Sequence, residues 1–307
     1  MYLSHFKLTA KPFAMNPDPG FLYPSAQHAT ALTMLEYGME SQAAFFLLTG
    51  EIGSGKTTLI RHLLRQLGDG VTVGLVSNTH ARFRSIHPWL VSALGLKVRD
   101  DSDVAQFEAL SQFFIGEYAK GRRTLLIVDE AQNLSARTLE ELRLLSNVNS
   151  EKDVAVQTLL VGQPELRTTL SRPELRQFAQ RVTIDCHLNP LSLTEVRAYI
   201  DHRLRLVGGS EALFERMAVA FIHRRSHGIP RLVNQLCDLA LVYAYAEGRP
   251  LVTFESLAKI CRDRDSVQAN PLFNEPAAAA GAAYEDCAGI DREPAAVAPQ
   301  KIIQTGA

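Results

Sequence analysis

Residues 45–58 have the sequence FFLLTGEIGSGKTT. A short apolar run leads into a glycine-rich turn, and a helical pattern follows from Lys56 to about Leu67. This order predicts a buried strand, a loop and a helix, with the spacing G-x-x-x-x-G-K-[ST] on the loop. Glycines let such a backbone curl around an anion with its N–H groups pointing inward, where side chains would collide with phosphates. The stretch therefore predicts a site for a nucleoside triphosphate.

Two side chains of this loop are expected to act on the phosphates directly. Lys56 would supply a mobile positive charge for the β- and γ-phosphates, and the Thr57 hydroxyl is the expected Mg²⁺ ligand. The helix that begins at Lys56 adds the partial positive charge of its N-terminus. The residues predicted to bind the nucleotide are Gly50, Glu51, Ile52, Gly53, Ser54, Gly55, Lys56, Thr57 and Thr58.

The composition is that of an ordinary soluble globular protein. The chain has 307 residues, of which 46% are hydrophobic and 21% charged, so it is long enough for two domains. It contains no apolar run of 18 or more residues and no basic-then-apolar N-terminal signal, which predicts a cytoplasmic protein without a transmembrane segment. The cysteines lack C-x-x-C spacing and are expected to be thiols of a reducing compartment. They are Cys186, Cys237, Cys261 and Cys287.

The charge balance does not favour a protein whose main task is to grip DNA. The formal net charge is −1. Residues 266–307 hold five acids and two bases, so the rest of the chain has 30 bases and 28 acids and a net charge of +2. DNA-gripping proteins usually carry a strong basic excess. Local basic clusters occur at Arg82-Phe83-Arg84 and His223-Arg224-Arg225. Clusters of this size are more often solvated helix faces than nucleic-acid contacts, so DNA is the less favoured partner.

The middle of the chain alternates between strand and helix patterns, which predicts an α/β fold. Parallel strands joined by helices form a sheet with helices on both faces. Ligands of such sheets bind at the carboxyl ends of the strands, and Thr49, Asp129 and Gln163 lie at such ends. The predicted strands are 45–49, 71–76, 124–128, 154–161 and 182–188.

The alternating pattern predicts an α/β nucleotide-binding domain over residues 41–190, and three further segments flank it. Residues 1–40 form an N-terminal arm with a helix from about residue 25, which either simply packs or lies near the nucleotide's base. Residues 191–265 show helical patterns only and predict a small helical lid. Residues 266–307 are rich in alanine and proline, lack periodicity and predict a disordered tail.

A pair of carboxylates follows the wholly apolar run at 124–128. Asp129 is expected to hold Mg²⁺ together with Thr57, and Glu130 to polarise the attacking water, which favours hydrolysis over binding alone. Gln163 at the end of the next strand would reach the same water or the γ-phosphate. Its alternative role is that of a loop amide bonded to backbone.

Arginines near the lid and the last strand are candidates for stabilising phosphate charge. Arg231 follows a proline at the start of a lid helix, where it would fold over the γ-phosphate or form a surface ion pair. Of Arg172, Arg176 and Arg181, we choose Arg181 as an arginine finger that serves a neighbouring subunit. The alternative for Arg181 is a simple helix-end charge.

Together these motifs resemble those of the AAA+ ATPases and, more narrowly, of the general-secretion-pathway A-type ATPases, whose relatives include pilus-biogenesis and exopolysaccharide-associated members. The resemblance implies a P-loop NTPase (AAA+) parallel sheet sandwiched by helices with a C-terminal helical lid, ATP as the nucleotide, and assembly into an oligomer. It also implies that Gln163 is the first sensor and Arg231 the second. The segments that carry it are Phe6 to Phe13, Asn16 to Pro19, Gly50 to Thr58, Asp129 to Leu134, Gly162 to Leu166 and Gly228 to Arg231.

Members of that family commonly continue into a membrane span and a peptidoglycan-binding domain, whereas this sequence ends in a short polar tail. We therefore expect a cytoplasmic ATPase that assembles or energises an envelope machine for secretion, pili or polysaccharide export through a separate membrane partner. One rival is a DNA-bound helper ATPase of the transposition or replication-loading type. Another is a scaffold that binds ATP and hardly turns it over, against which the presence of Glu130 argues.

Overall fold

A computed structural model describes residues 1–16, 18–77, 79, 84–148 and 154–265. The tail predicted at 266–307 lies outside the described residues, as do Pro17 and the Arg82-Phe83 part of one basic cluster. Within the described residues, no helix combines the length and apolar character needed to cross a bilayer.

The centre of the molecule is a parallel sheet, as the alternating pattern predicted. Its strands lie side by side in the order β2-β3-β4-β1-β5, so that β1 sits between β4 and β5. In register, Leu47 of β1 lies opposite Leu160 of β4 and Asp185 of β5. The strands are β1 (Phe45–Gly50), β2 (Val71–Val76), β3 (Arg123–Val128), β4 (Val156–Gly162) and β5 (Val182–Leu188).

Helices connect the strands and continue beyond the last of them. The first, a single turn at the N-terminus, has too few residues to show a periodic pattern and was not predicted. The helices are α1 (Tyr2–His5), α2 (Ala26–Glu40), α3 (Lys56–Gln66), α4 (His87–Ala93), α5 (Asp103–Ala119), α6 (Ala136–Leu145), α7 (Glu165–Leu170), α8 (Arg176–Ala179), α9 (Leu193–Leu206), α10 (Arg216–Ser226), α11 (Pro230–Ala246) and α12 (Phe254–Asp265).

Strand β1 is buried on both faces because successive side chains of a strand point in opposite directions. Phe45 and Leu47 enter a core shared with residues of α4 to α8, while Phe46 and Leu48 enter a second core shared with α2 and α3. The prediction of a parallel sheet sandwiched by helices is confirmed. The apolar run before the glycine loop thus anchors that loop in the middle of the sheet.

A third core joins the helices after β5 to the N-terminal arm. Phe13 is fully buried and meets Phe214 edge-on, with 5.7 Å between ring centroids. The Tyr2 hydroxyl donates a hydrogen bond of 2.6 Å to Asp238 of α11. The start of the chain therefore packs against its last described helices, and this brings the following residues of the arm to the edge of the sheet where the strands end.

Glu117 ties the end of α5 to the edge strand β2. Its side chain is only 3% exposed and accepts hydrogen bonds from Arg122, Thr72 and Lys120. These donors, the Arg122 guanidinium first, hold the pKa of Glu117 at about 2, below its ordinary 4.5. A carboxylate whose pKa is depressed on folding stabilises the fold above its unfolded pKa, and that contribution is lost as pH falls through the folded value.

We predict that Glu117→Gln lowers the free energy of unfolding at pH 7, and that the difference from wild type shrinks as pH falls from about 4.5 towards 2. Urea unfolding at a series of pH values measures this. Glu108→Gln, an exposed acid on the same helix, is the control and should change little at any pH. A Glu117→Gln deficit that does not vary with pH would contradict the assigned ionic role.

Candidate active site

The phosphate loop connects β1 to α3 in a conformation that requires glycine. Gly53 and Gly55 have φ values of 85° and 104°, in the left-handed region that other residues rarely adopt. At Gly50 a β-carbon would lie 2.7 Å from the Ser54 hydroxyl and 2.8 Å from the Leu188 carbonyl oxygen. The glycines that the sequence motif placed here are therefore needed by the backbone itself.

Lys56 opens α3 and folds back over its own loop. Its ammonium donates hydrogen bonds of 2.7 Å to the Gly50 carbonyl and 2.9 Å to the Glu51 carbonyl, and the residue is only 9% exposed. Burial lowers the pKa of Lys56, while the carboxylates of Glu130 and Asp129 oppose that shift. A buried cation beside two carboxylates is arranged to exchange its present partners for anionic oxygens of a ligand.

The two carboxylates follow β3 directly and are held by their surroundings. Asp129 accepts a hydrogen bond of 2.9 Å from the Glu130 amide, and burial raises the pKa of Asp129. Glu130 has a φ of 55°, a conformation uncommon outside glycine. The Thr79 hydroxyl lies 3.1 Å from the backbone carbonyl oxygen of Asp129 and 2.5 Å from that of Glu130, so it can donate a hydrogen bond to either. Such sparsely populated conformations persist where the surroundings fix them, and they cluster at functional sites.

Gln163 follows β4 and joins the same site. Its backbone N–H donates a hydrogen bond of 3.0 Å to the side-chain oxygen of Gln132. The side-chain NH₂ group of Gln132 in turn donates one of 2.6 Å to the Glu130 carboxylate. The sequence placed Gln132 within a motif but gave it no role. Only the geometry shows that it joins two residues predicted to be catalytic.

One cavity of about 470 Å³ brings most of the predicted site together. Gly50 and Glu51 do not line it, but their carbonyls accept hydrogen bonds from Lys56, which does. Arm residues Met15, Phe21 and Tyr23 form another part of the wall, so the arm does lie beside the loop. The predicted site residues that line the cavity are Ile52, Gly53, Ser54, Gly55, Lys56, Thr57, Thr58, Asp129, Glu130, Gln163 and Arg231.

The helical part of the chain touches the phosphate loop through Arg231 at the start of α11. Its backbone N–H donates to the Gly53 carbonyl at 3.2 Å. A β-carbon on Gly53 would lie 2.4 Å from that of Arg231, so the two backbones are as close as glycine permits. The position of Arg231 beside the cavity agrees with its predicted sensor role, which stays a prediction.

The arm touches the same loop through His28, which the sequence analysis missed. The imidazole Nε2 donates to the Ser54 carbonyl at 3.1 Å, and Nδ1 accepts from the Ser25 hydroxyl at 2.7 Å. Burial lowers the pKa of His28, which favours this neutral tautomer. A lone histidine in a helical pattern carries no signal for such a contact.

Arg203 of α9 is the second missed residue, and it joins the arm to the helical part. It is 6% exposed and donates hydrogen bonds of 2.6 Å to the Pro12 carbonyl and 2.7 Å to the Tyr199 hydroxyl. Its guanidinium carbon lies 4.8 Å from the centre of the Phe21 ring, a cation–π contact at the cavity wall. In the sequence it is one basic residue of an amphipathic helix, a pattern typical of an exposed face.

Arg181 is the predicted catalytic residue that the fold does not bring to this cavity. It precedes β5 and so lies at the amino edge of the sheet, opposite the phosphate loop. Its guanidinium donates a hydrogen bond of 2.6 Å to Ser146. Arg172 pairs with Glu174 at 4.0 Å and Arg176 is exposed. A role for Arg181 in a neighbouring subunit stays a prediction.

Comparison with known proteins identifies the family and supports the fold. A family model described as an AAA domain matches residues 39–170. General secretion pathway protein A of Aeromonas hydrophila is 40% identical over 249 residues, which make up 81% of this chain and 46% of that protein. The ORC2 protein of Aeropyrum pernix, in ADPNP–ADP complexes, superposes with a TM-score of 0.60 at 18% identity, covering 81% of this chain and 70% of that one. Cdc6p of Pyrobaculum aerophilum gives 0.60 at 15% identity, covering 80% and 71%.

The fold and the phosphate loop together define an AAA+ protein of the P-loop class, and at such low identity the solved structures support the fold alone. Within that class, the chain belongs to the general-secretion-pathway A type, as its motifs predicted. It spans 46% of the length of the curated relative that it matches.

We predict that Gly53→Ala weakens ATP binding by about tenfold or more, because the new methyl group would both strain the loop and push against Arg231. Titration with a fluorescent ATP analogue measures the affinity. Gly70→Ala is the matched control, since a β-carbon there meets no atom within 4 Å. Equal affinities for Gly53→Ala and wild type would show that the close approach of α11 to the loop is not needed for binding.

Proposed function

We propose that this protein binds ATP with Mg²⁺, hydrolyses it to ADP and phosphate, and works as a cytoplasmic, oligomeric factor that assembles or energises an envelope machine. One observation carries the catalytic part of the proposal: Lys56, Glu130 and Gln163 lie around a single cavity although they follow three different strands. The glycine loop that leads to Lys56 is of the kind that binds anions through its backbone.

The phosphates of ATP would lie along the loop, with Lys56 and the N-terminus of α3 supplying positive charge. The Ser54 hydroxyl is buried without a hydrogen-bond partner among the described residues, which suits a loop that awaits an oxygen ligand. Thr57 and Asp129 offer a hydroxyl and a carboxylate, the hard oxygen ligands that suit Mg²⁺ held jointly with phosphates. When bound, the metal would neutralise charge on the phosphates.

Glu130 would act as the general base of the reaction. Its carboxylate lines the cavity one residue after the metal ligand and would accept the proton of a water aligned with the γ-phosphate. Gln163 would orient that water or contact the γ-phosphate, and Arg231 would place positive charge over it from α11. Because the arm also lines the cavity, Phe21 and its neighbours are suited to hold the nucleoside.

The envelope assignment and the oligomer rest on separate supports. The relative from Aeromonas hydrophila carries the name of a secretion pathway protein, which favours secretion, pilus or polysaccharide export as the setting. Arg181 lies away from the cavity of its own chain, at the opposite edge of the sheet. To act in a neighbouring copy, Arg181 would have to exchange its hydrogen bond with Ser146 for the γ-phosphate bound there, so the proposed oligomer rests on the resemblance to the family.

Glu130→Gln should lower kcat for ATP by about a hundredfold or more while leaving ATP affinity within about twofold, because it removes the proton acceptor but keeps the shape. Lys56→Ala should instead weaken ATP binding by about ten- to a hundredfold, since hydrogen bonds to charged groups are worth about 1.5–3 kcal/mol. Steady-state phosphate release and nucleotide titration measure the two effects. Lys97→Ala, an exposed lysine that does not line the cavity, is the control.

Wild-type turnover in Glu130→Gln would contradict the role given to Glu130, and tight binding by Lys56→Ala would contradict the assignment of the loop.

The same phosphate-release assay separates the partner classes when double-stranded DNA is added at low and high salt. We expect no response to DNA. A several-fold stimulation that disappears as salt rises would instead favour the DNA-bound helper ATPase, because phosphate contacts weaken with salt.

A further inference from the structure

We infer that Gln132 is a positioning residue that fixes the Glu130 carboxylate for its reaction with water and joins it to Gln163. The inference rests on the proposed hydrolysis of ATP at this site. Gln132 itself does not line the cavity, so it would act through the two residues that do.

The geometry uses both ends of one side-chain amide. The NH₂ group of Gln132 donates to the Glu130 Oε2 at 2.6 Å, and its carbonyl oxygen accepts from the Gln163 backbone N–H at 3.0 Å. Only a residue with a donor and an acceptor at this length can make both bonds at once. A carboxylate in its place would keep the bond to Gln163 but would lose the donor and face Glu130 with a like charge.

The surrounding backbone is shaped around this amide. A β-carbon on Gly162 would lie 2.8 Å from the side-chain oxygen of Gln132 and 3.3 Å from the backbone nitrogen of Gln132. A side chain at position 162 would therefore displace the Gln132 amide from its present contact with Gln163. Next to Gln132, the Asn133 side chain donates to the Thr79 carbonyl at 2.9 Å, so the segment that carries Gln132 is also fixed.

The hydrogen bond fixes the rotation of the Glu130 carboxylate. With Oε2 held by the NH₂ group of Gln132, Oε1 is the oxygen that would face the attacking water. In hydrolysis the water oxygen bonds the γ-phosphorus, and the bond from that phosphorus to the β–γ bridging oxygen breaks, with its electron pair leaving on ADP. The proton of the water passes to Oε1 of Glu130 and then to the released phosphate or to solvent. A free carboxylate would rotate and present Oε1 correctly for only part of the time.

Two variants of Gln132 test this inference in the full chain. Gln132→Met keeps the length and removes both hydrogen bonds, while Gln132→Glu keeps the shape and the acceptor. We expect kcat for ATP to fall by about tenfold or more in both, with KM and the affinity for a fluorescent ATP analogue within about twofold of wild type. Gln66→Met, at an exposed position of α3, is the matched control. Thermal unfolding establishes that each variant is folded.

A double-variant measurement separates positioning from a merely structural role. If Gln132 acts through Glu130, adding Gln132→Met to Glu130→Gln should leave the residual single-turnover rate unchanged within about twofold. A further fall of the same factor as in wild type would overturn the inference, as would wild-type kcat in both single variants. Absence of turnover in wild type would overturn the proposed function, and with it the role of Gln132.

Discussion

The rest of the site depends on how the carbonyl groups of the phosphate loop are satisfied. A loop that turns its N–H groups towards an anion must find partners for its carbonyls elsewhere. Here Lys56 serves the carbonyls of Gly50 and Glu51, the Arg231 amide serves Gly53, and His28 serves Ser54. These partners come from α3, α11 and the arm. The shape of the loop is therefore set by three parts of the chain that are far apart in sequence.

This constraint explains why the arm packs where it does. Its first residues, including Tyr2 and Phe13, belong to the core of the helical part, and Arg203 binds the Pro12 carbonyl. Further along, His28 reaches the loop itself. The arm thus connects the loop to the helices that follow the sheet. A ligand that shifts the loop would act on the arm and on α11 together, because both are hydrogen-bonded to the loop. Shared contacts of this kind allow a local change to shift the conformation of a larger element.

The elements fixed by local pattern were predictable, and the contacts between distant residues were not. Residues 71–76 and 182–188 are strands with the predicted bounds, because a short run rich in β-branched residues and a run of alternating apolar and polar residues both favour a strand. The glycine loop and the strand-end carboxylates follow from spacing alone. His28, Gln132 and Arg203 were missed because each acts through a partner chosen by tertiary packing, and a histidine, a glutamine or an arginine on a helix or loop has no periodic signal of its own.

We infer that the arm, the loop and the start of α11 form one nucleotide site. Hydrogen–deuterium exchange of the Glu130→Gln variant, with and without ATP and Mg²⁺, tests it most directly, because that variant should hold ATP unhydrolysed. We predict that amides in residues 18–23, 51–58 and 228–234 gain protection together over the same range of ATP concentration. Protection confined to 51–58, with the arm and α11 unchanged, would contradict the claim and leave the loop as an isolated phosphate site.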